Sequence, residues 1–352
     1  MVTVGIDPHK RVCYAAAVDA AGRRIDPVHK TAGAADLPAL LDWARRNAGE
    51  AAEVLWALED GRGLARPLAD ALLLAGQRVV WVPARAMAAH RRLHNRTGAK
   101  SDAIDAAAVA RAAVAECDLA PHRIDEPIRE LRLMADRRAD AVQRRTQACN
   151  RLRAWIHTWF DHTPADLTRA KGRAALQAAL EEAALPARVH AVFTGLLAEV
   201  AELSALIAAL ERDIARAVEP LAPHLLAIPG IGPVSAAVLL GEIGDITRFP
   251  TAAKLAAHTG CAPIPVSSSG RDRHRLCRGG NRRLNCVIHI AAVVQKQRHP
   301  GAGALVERLE PTKGKRGAYR VLKRHLVDVI YRAMVRDRAR WAHAAVEHHL
   351  AA

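Results

Sequence analysis

Three short apolar segments constrain the fold of this chain more than any other feature of its sequence. Residues 2–6 (VTVGI), 53–58 (EVLWAL) and 78–82 (RVVWV) are rich in β-branched and aromatic residues and have the length of buried strands. Helical patterns at 36–47 and 64–75 separate them. Because strands alternate with helices here, the N-terminal part is predicted to be an α/β domain.

Acidic residues follow two of these strands. Two further strands, at 11–19 and 24–31, are predicted at hairpin spacing after the first, so the order becomes that of a ribonuclease-H-like domain. Asp7 follows the first strand and Glu59 the fourth, and these strands are neighbours in such a sheet. The two carboxylates are therefore expected at the same edge.

A second pair of acids lies in the helix predicted at 101–115. Asp102 and Asp105 are three residues apart and face the same way. Four carboxylates at one place are suited to holding one or two Mg²⁺ ions for phosphoryl transfer on DNA. Each acid alone has an ordinary explanation, either in turn formation or in complementing a helix dipole. Their combination favours a metal centre formed by Asp7, Glu59, Asp102 and Asp105.

Positive charge is concentrated near the C-terminus. The 352-residue chain has 52 Lys and Arg against 36 Asp and Glu, and residues 261–336 alone carry 17 against 4. A nearly neutral body with a basic C-terminal third predicts a polyanionic partner. The residues expected to face nucleic acid are Arg271, Arg273, Arg275, Arg282, Arg283, Lys313, Lys315 and Arg316.

Residues 228–241 (IPGIGPVSAAVLLG) resemble the turn of a helix-hairpin-helix motif. Gly230 and Gly232 permit a tight bend, and the backbone N–H groups that follow could bind a phosphate without reading sequence. A glycine turn between two packed helices is the simpler alternative.

Three consecutive serines, Ser267 to Ser269, precede Gly270 and an arginine-rich stretch. A serine in a flexible loop among arginines is suited to attack on phosphate, since guanidinium groups neutralise the developing charge. Taken alone, this segment favours a phosphate-binding loop over a nucleophile.

Long helical patterns at 127–161 and 186–218 connect the two ends of the chain. In the second, apolar residues alternate at spacings of three and four, which is an a/d seam (Phe193, Leu196, Val200, Leu203, Ile207, Leu210 and Ile214). An internal helical hairpin and a coiled coil between chains both fit, and the regular seam slightly favours oligomerisation. No signal peptide and no apolar stretch long enough to span a bilayer is expected, which favours a cytoplasmic location without membrane contact.

Five motifs in order resemble the DEDD transposases of bacterial insertion sequences, relatives of the pilin-gene invertases. GIDPHK (5–10), ALED (57–60) and KSDAIDA (100–106) are similar to the family's acidic motifs. Residues 225–249 and 255–270 resemble its C-terminal transposase domain. The resemblance covers nearly the whole chain.

The resemblance implies an α/β plus all-α architecture. Its parts are a ribonuclease-H-like (RuvC-like) catalytic domain over 1–120, a helical coiled-coil spacer over 121–220, and a helical transposase domain over 221–345. It also implies a covalent phosphoserine link to DNA, with Ser269 as the nucleophile and Ser268 the next choice in this run of serines. Asp7, Glu59, Asp102 and Asp105 correspond to the Mg²⁺ ligands. The implied partners are donor and target DNA, a structured guide RNA and further copies of the chain, as a dimer or tetramer.

Two other functions fit the residues without this resemblance. A junction-resolving nuclease would use the acids to activate water and would not need the serine. A non-catalytic architectural protein would bind DNA or RNA through its basic part, with its acids dispersed.

Overall fold

The computed structural model describes residues 1–25, 27–49, 53–59, 63–94, 98–116, 119–268, 271–275, 277 and 279–350. The chain divides into two compact units, Met1–Ile124 and Asp125–Ala352. The first is a mixed α/β unit and the second is mostly helical, which confirms the coarse fold class predicted from the sequence.

A six-stranded sheet forms the centre of the first unit. Its strands are β1 (Val2–Pro8), β2 (Cys13–Val18), β3 (His29–Thr31), β4 (Val54–Glu59), β5 (Arg78–Val82) and β6 (Ala120–Pro121), in the order β3-β2-β1-β4-β5-β6. β1, β4 and β5 are mutually parallel, whereas β2, β3 and β6 join their neighbours antiparallel. The carboxyl ends of β1 and β4 therefore lie side by side.

Helices cover both faces of this sheet. The helices are α1 (Leu37–Ala48), α2 (Arg66–Leu74), α3 (Ala84–His94) and α4 (Asp102–Ala115). Val4 and Ile6 share a buried cluster with residues of α1 and α2, so the alternate residues of β1 face the other side. On that side Gly5 allows α4 to approach closely, since a Cβ there would lie 2.2 Å from the carbonyl oxygen of Ala106. The close packing holds the start of α4 next to the end of β1.

The second unit begins with three helices, α5 (Glu126–Trp159), α6 (Ala170–Glu182) and α7 (Ala187–Leu221). The seam of α7 is used inside this unit: Phe193 and Val200 pack with Leu152 and Ile156 of α5, and Leu203 with Ala141. Pairing of this seam with another chain stays a prediction. The internal hairpin holds, because α5 runs alongside α7 and covers the apolar stripe.

Helix α7 also corrects the expectation that no segment is long and apolar enough to span a bilayer. By length and composition it is, among the described residues, the one helix that contains a segment long and apolar enough to cross a membrane. Core helices of soluble proteins share this length and composition. Ion pairs join α7 to α5, from Arg138 to Glu211 and from Arg144 to Glu199.

The rest of the second unit packs around one apolar core. Its elements are α8 (Pro223–Leu226), α9 (Pro233–Ile243), α10 (Ala252–His258), the hairpin of β7 (Ile264–Ser268) and β8 (Arg271–Arg275), α11 (Arg282–Arg298) and α12 (Pro300–Leu350). Helix α12 is interrupted at Gly314, where φ is 66°. Asp337 of α12 is buried and accepts the backbone N–H groups of His224 and Leu225, which satisfies the start of α8.

Some of these elements were not predicted from the sequence. Helix α3 was missed because its sequence (ARAMAAHRRLH) contains only two large apolar residues, of which Met87 is buried. The β7–β8 hairpin falls where a loop was predicted, because its strands consist largely of Ser, Arg and other polar residues.

Candidate metal centre

Asp7, His9 and Asp102 form a compact group at the end of β1. Their possible ligand atoms all lie within 4.8 Å of one another. His9 Nε2 is 3.3 Å from Asp7 Oδ2 and 3.2 Å from Asp102 Oδ1. The strand positions Asp7, and the first turn of α4 positions Asp102 after the N-cap Ser101, whose side chain accepts the N–H of Ile104.

Asp105 lies one turn further along α4 and is largely buried, with 9% of its side chain exposed. Arg91 of α3 donates from Nη1 to its Oδ1 at 3.0 Å and to its Oδ2 at 3.3 Å. This contact orients the carboxylate and offsets one negative charge beside Asp7.

The charge on Asp7 is disfavoured by its surroundings. Burial raises the pKa of this carboxyl above its usual value; His9 opposes that shift, while Asp105 and then Asp102 add to it. Asp105 and Asp102 therefore both act electrostatically on Asp7. A bound cation would relieve this repulsion, and carboxylate oxygens are the ligands that hard divalent ions prefer.

Glu59 ends β4, the strand beside β1, in a register where Leu58 pairs with Ile6. Ala57 shares a buried cluster with residues of α4, so by strand alternation Glu59 occupies the same side of the sheet as Asp7. All four acids predicted from the sequence are thus at the carboxyl ends of β1 and β4 or in the first turn of α4.

The sequence analysis missed two residues of this centre. His9 stands two positions after Asp7 in the first acidic motif, just beyond the end of β1, so a metal-binding side chain this close to a predicted ligand was a signal that could have found it. Arg91 lies in α3, which had no recognisable pattern, and no local signal relates it to Asp105.

The serines lie in the second unit. Ser267 and Ser268 are the last residues of β7, opposite Asp272 and Arg271 of β8. The segment is therefore a β-hairpin, and the predicted loop is wrong for these two residues. Ser269 and Gly270 lie outside the described residues.

Two hydrogen bonds to backbone carbonyls close the base of this hairpin. The N–H of Asn281 donates to the carbonyl of His258 at 2.8 Å, and the side chain of Asn285 donates to the carbonyl of Thr259 at 2.9 Å. Gly280 packs so closely that a Cβ on it would lie 2.2 Å from the nitrogen of Gly260. Both ends of the serine-bearing segment are thereby held by α10 and α11.

The basic residues predicted to face nucleic acid are divided by the structure. Arg271 and Arg273 lie in β8, and their side chains are outside what the structure describes. The exposed members are Arg275, Arg282, Lys313, Lys315 and Arg316. Arg283 instead contacts Asp136 and, at 3.0 Å, the buried Glu242. Its charge is compensated by these two acids, and its assignment to the nucleic-acid surface stays a prediction.

Gly230 has a structural reason to be glycine. Its φ is 86°, and a Cβ on it would lie 3.0 Å from the backbone of Ala291 in α11. Gly232 is the N-cap of α9 and has open space around it. The turn packs against α11, also through Gln295, which donates to the carbonyl of Pro229.

Comparison with known proteins identifies the class to which this site belongs. Residues 4–160 match a family model of DEDD type described as "Transposase", and residues 222–307 match one described as "Transposase IS116/IS110/IS902 family". The acidic centre falls in the first match and the serine hairpin in the second.

Individual relatives extend over most of the chain. The chain is 32% identical to the insertion element IS116 uncharacterized 44.8 kDa protein of Streptomyces clavuligerus, over 96% of this chain and 95% of the relative. It is 30% identical to the insertion element IS900 uncharacterized 42 kDa protein of Mycobacterium paratuberculosis, over 82% and 84% respectively. A further relative, 29% identical, is the mini-circle putative transposase for IS117 of Streptomyces coelicolor. The chain belongs to the DEDD transposase family of insertion elements typified by IS110 and IS116.

Proposed function

We propose that this protein cuts and rejoins DNA for an insertion sequence through a covalent phosphoserine intermediate. The observation that carries the proposal is the meeting of Asp7, Asp102 and Asp105 at the end of β1, beside the strand that ends in Glu59. Family membership supports a transposase acting on DNA. The site supports phosphoryl transfer as its chemistry.

The residues of the acidic centre suit Mg²⁺ or a similar hard cation. Bound among Asp7, Glu59, Asp102 and Asp105, the ion would stabilise charge on the attacking and leaving oxygens of a phosphodiester. Arg91 orients Asp105 from the side. His9 lies between Asp7 and Asp102, where it can hold either carboxylate in place.

We assign Ser269 as the nucleophile, with Ser268 as the alternative in this run of serines. The serine Oγ–P bond forms as the P–O bond to one deoxyribose breaks, and the released strand end leaves as a hydroxyl. The phosphodiester's bond energy is kept, so a second strand end can reverse the step without ATP. The hydrogen bonds that close the base of the β7–β8 hairpin support a role that requires the serines to be held in position.

The domain assignment follows the same reasoning. The sheet order and the parallel β1, β4 and β5 support a ribonuclease-H-like, RuvC-like domain over 1–120. Residues 121–220 would be the helical spacer and 221–345 the transposase domain. Within the latter, Gly230 and Gly232 would present backbone N–H groups to phosphate in the manner of a helix-hairpin-helix.

The partners in this proposal are donor and target DNA, a structured guide RNA and other copies of the chain. The exposed Arg275, Arg282, Lys313, Lys315 and Arg316 support binding of a polyanion. Recombining two DNA ends requires at least two active sites, which a dimer or tetramer would supply.

Trapping the intermediate tests the proposal. The full chain, with Mg²⁺ and the element's own DNA ends as a nicked suicide substrate, is expected to yield a protein–DNA adduct that mass spectrometry maps to Ser269. Ser269→Ala should abolish the adduct and Ser267→Ala should retain it, and a link at Ser268 would shift the assignment by one residue. Ends cleaved by water, with no adduct, would contradict the proposal and favour a junction-resolving nuclease. Binding without any cleavage would favour an architectural protein.

A further inference from the structure

A pocket in the first unit concentrates positive charge beside the acidic centre. It is lined by arginines and one histidine from three places: Arg24 after β2, Arg91 and His94 of α3, and Arg111 of α4. Its floor is formed by Ala103, Ile104, Ala107 and Ala108 of α4. The same helix carries Asp102 and Asp105 on a neighbouring side, so α4 separates a cationic surface from an anionic one.

Two of the three arginines of this pocket, Arg24 and Arg111, are not neutralised by the described acidic groups around them, whereas Arg91 is paired with Asp105. Among the described residues, neither Arg24 nor Arg111 has a carboxylate within ion-pair distance. Arg111 donates from Nε to the carbonyl of Gly22 at 2.9 Å, which fixes its stem but leaves both terminal nitrogens available. Burial and then the neighbouring Arg24 lower the pKa of Arg111. The pKa of His94 is lowered by burial and then by Arg111 and His90.

Arg91 joins the pocket to the acidic centre. It lines the pocket and donates to Asp105 through Nη1 alone, so its Nε and Nη2 have no partner among the described residues. An anion in the pocket would therefore lie one side chain away from Asp105. Arginines held near one another without compensating acids are typical of sites that bind phosphate through forked hydrogen bonds.

We propose that this pocket binds a backbone phosphate of the nucleic-acid strand that passes the acidic centre. The small side chains of the floor leave room for a phosphate group, and Arg24, Arg91 and Arg111 surround that space with donors. Its role would be to hold the strand beside the scissile position. The proposal rests on the proposed function in one respect, namely that the neighbouring carboxylates act on nucleic acid.

Binding measured without metal separates this proposal from the chemistry. The full chain is titrated in EDTA against a fluorescein-labelled single-stranded DNA and against an RNA of the same sequence, over a series of salt concentrations. Arg24→Gln with Arg111→Lys is expected to weaken binding about tenfold for the strand that occupies the pocket. The slope of log K against log salt should fall by about 0.7, as expected when one phosphate contact is lost.

The matched control is Arg46→Gln, an exposed arginine of α1, which packs on the opposite face of the sheet. It should leave both quantities unchanged. Arg24→Gln alone, at an exposed position, is used if the double variant does not fold. Its affinity for the strand is expected to fall severalfold. If the variants lose affinity only for the DNA or only for the RNA, that nucleic acid is the one that occupies the pocket. Equal affinities for Arg24→Gln, Arg46→Gln and the wild type would overturn the proposal, whereas a missing serine adduct would overturn only the proposed chemistry.

Discussion

Two clusters of charged residues in this protein differ in how far their negative charges are compensated by neighbouring donors. At Glu242 of α9, which is 3% exposed, the carboxylate receives Arg283 at 3.0 Å and the side-chain amide of Asn281 at 2.5 Å, and Arg283 also contacts Asp136. At the end of β1, Asp7 faces Asp102 and Asp105, with His9 between the first two and Arg91 directed at the third.

The difference shows how structural and functional charge can be distinguished. Glu242 is surrounded by donors that satisfy its oxygens, so it stabilises the junction of α9 with α11. Asp7 is left with more negative charge nearby than the protein compensates, and a native structure retains such an arrangement where a ligand completes it. Glu242 is therefore expected to matter for folding, and the acids around Asp7 for activity.

The largest expected effect is on strand cleavage. Asp7→Asn removes a charge that Mg²⁺ requires while nearly preserving shape, so cleavage of the element's DNA ends should fall by about a thousandfold or more. DNA binding measured by anisotropy should change less than about threefold, because the carboxylate makes no contact with nucleic acid in this account. Cleavage within tenfold of wild type would mean that the acidic centre is not the catalytic one.

The next largest effect is on stability and concerns the compensated cluster at Glu242. Glu242→Ala leaves Arg283 without its buried partner and should lower the free energy of unfolding by about 2 kcal/mol, since Arg283 is partly exposed and screened. Urea unfolding measures the loss. Glu219→Ala, at an exposed position of α7, is the control and should cost less than about 0.5 kcal/mol. Equal losses for the two variants would remove the distinction drawn between the clusters.

The smallest effect is on stability at the acidic centre itself. Because the pKa of Asp7 is raised in the folded protein, the folded state holds that proton more tightly than the unfolded state does. The contribution of Asp7 to stability is therefore greatest below the ordinary pKa of Asp and is lost as the pH rises through the raised pKa. In EDTA at about pH 7.5, Asp7→Asn should raise the melting temperature by roughly 2–4 °C, and the gain should shrink near pH 4. A lower melting temperature for the variant at the higher pH would contradict the account.

The sequence predicted the acidic residues of the centre better than it predicted the arginines that pair with buried acids. Asp7 and Glu59 could be found because a short apolar strand segment ends at each of them, and Asp102 and Asp105 because they are three residues apart at the start of a helix. Arg91 and Arg283 could not be assigned in this way. Whether an arginine faces solvent or a buried acid depends on contacts with residues far along the chain, such as Asp136 and Glu242.

The same limit applies to the fold. The seam of α7 was evident as a pattern, but a periodic apolar stripe does not show whether α5 or another chain covers it. The β7–β8 hairpin escaped prediction because its strands carry few apolar residues. What closes its base is a pair of hydrogen bonds from Asn281 and Asn285 and the close packing of Gly280 on Gly260, and these contacts leave no periodic signal in the sequence.

Direct measurement of metal binding is the sharpest test of the central claim. Mn²⁺ prefers the same oxygen ligands as Mg²⁺ and can be counted by electron paramagnetic resonance on the full chain. The wild type and Glu242→Ala should bind Mn²⁺ with similar affinity, whereas Asp7→Asn and Asp102→Asn should each weaken that binding by about tenfold or more. Equal Mn²⁺ binding by the wild type and by both aspartate variants would contradict the account.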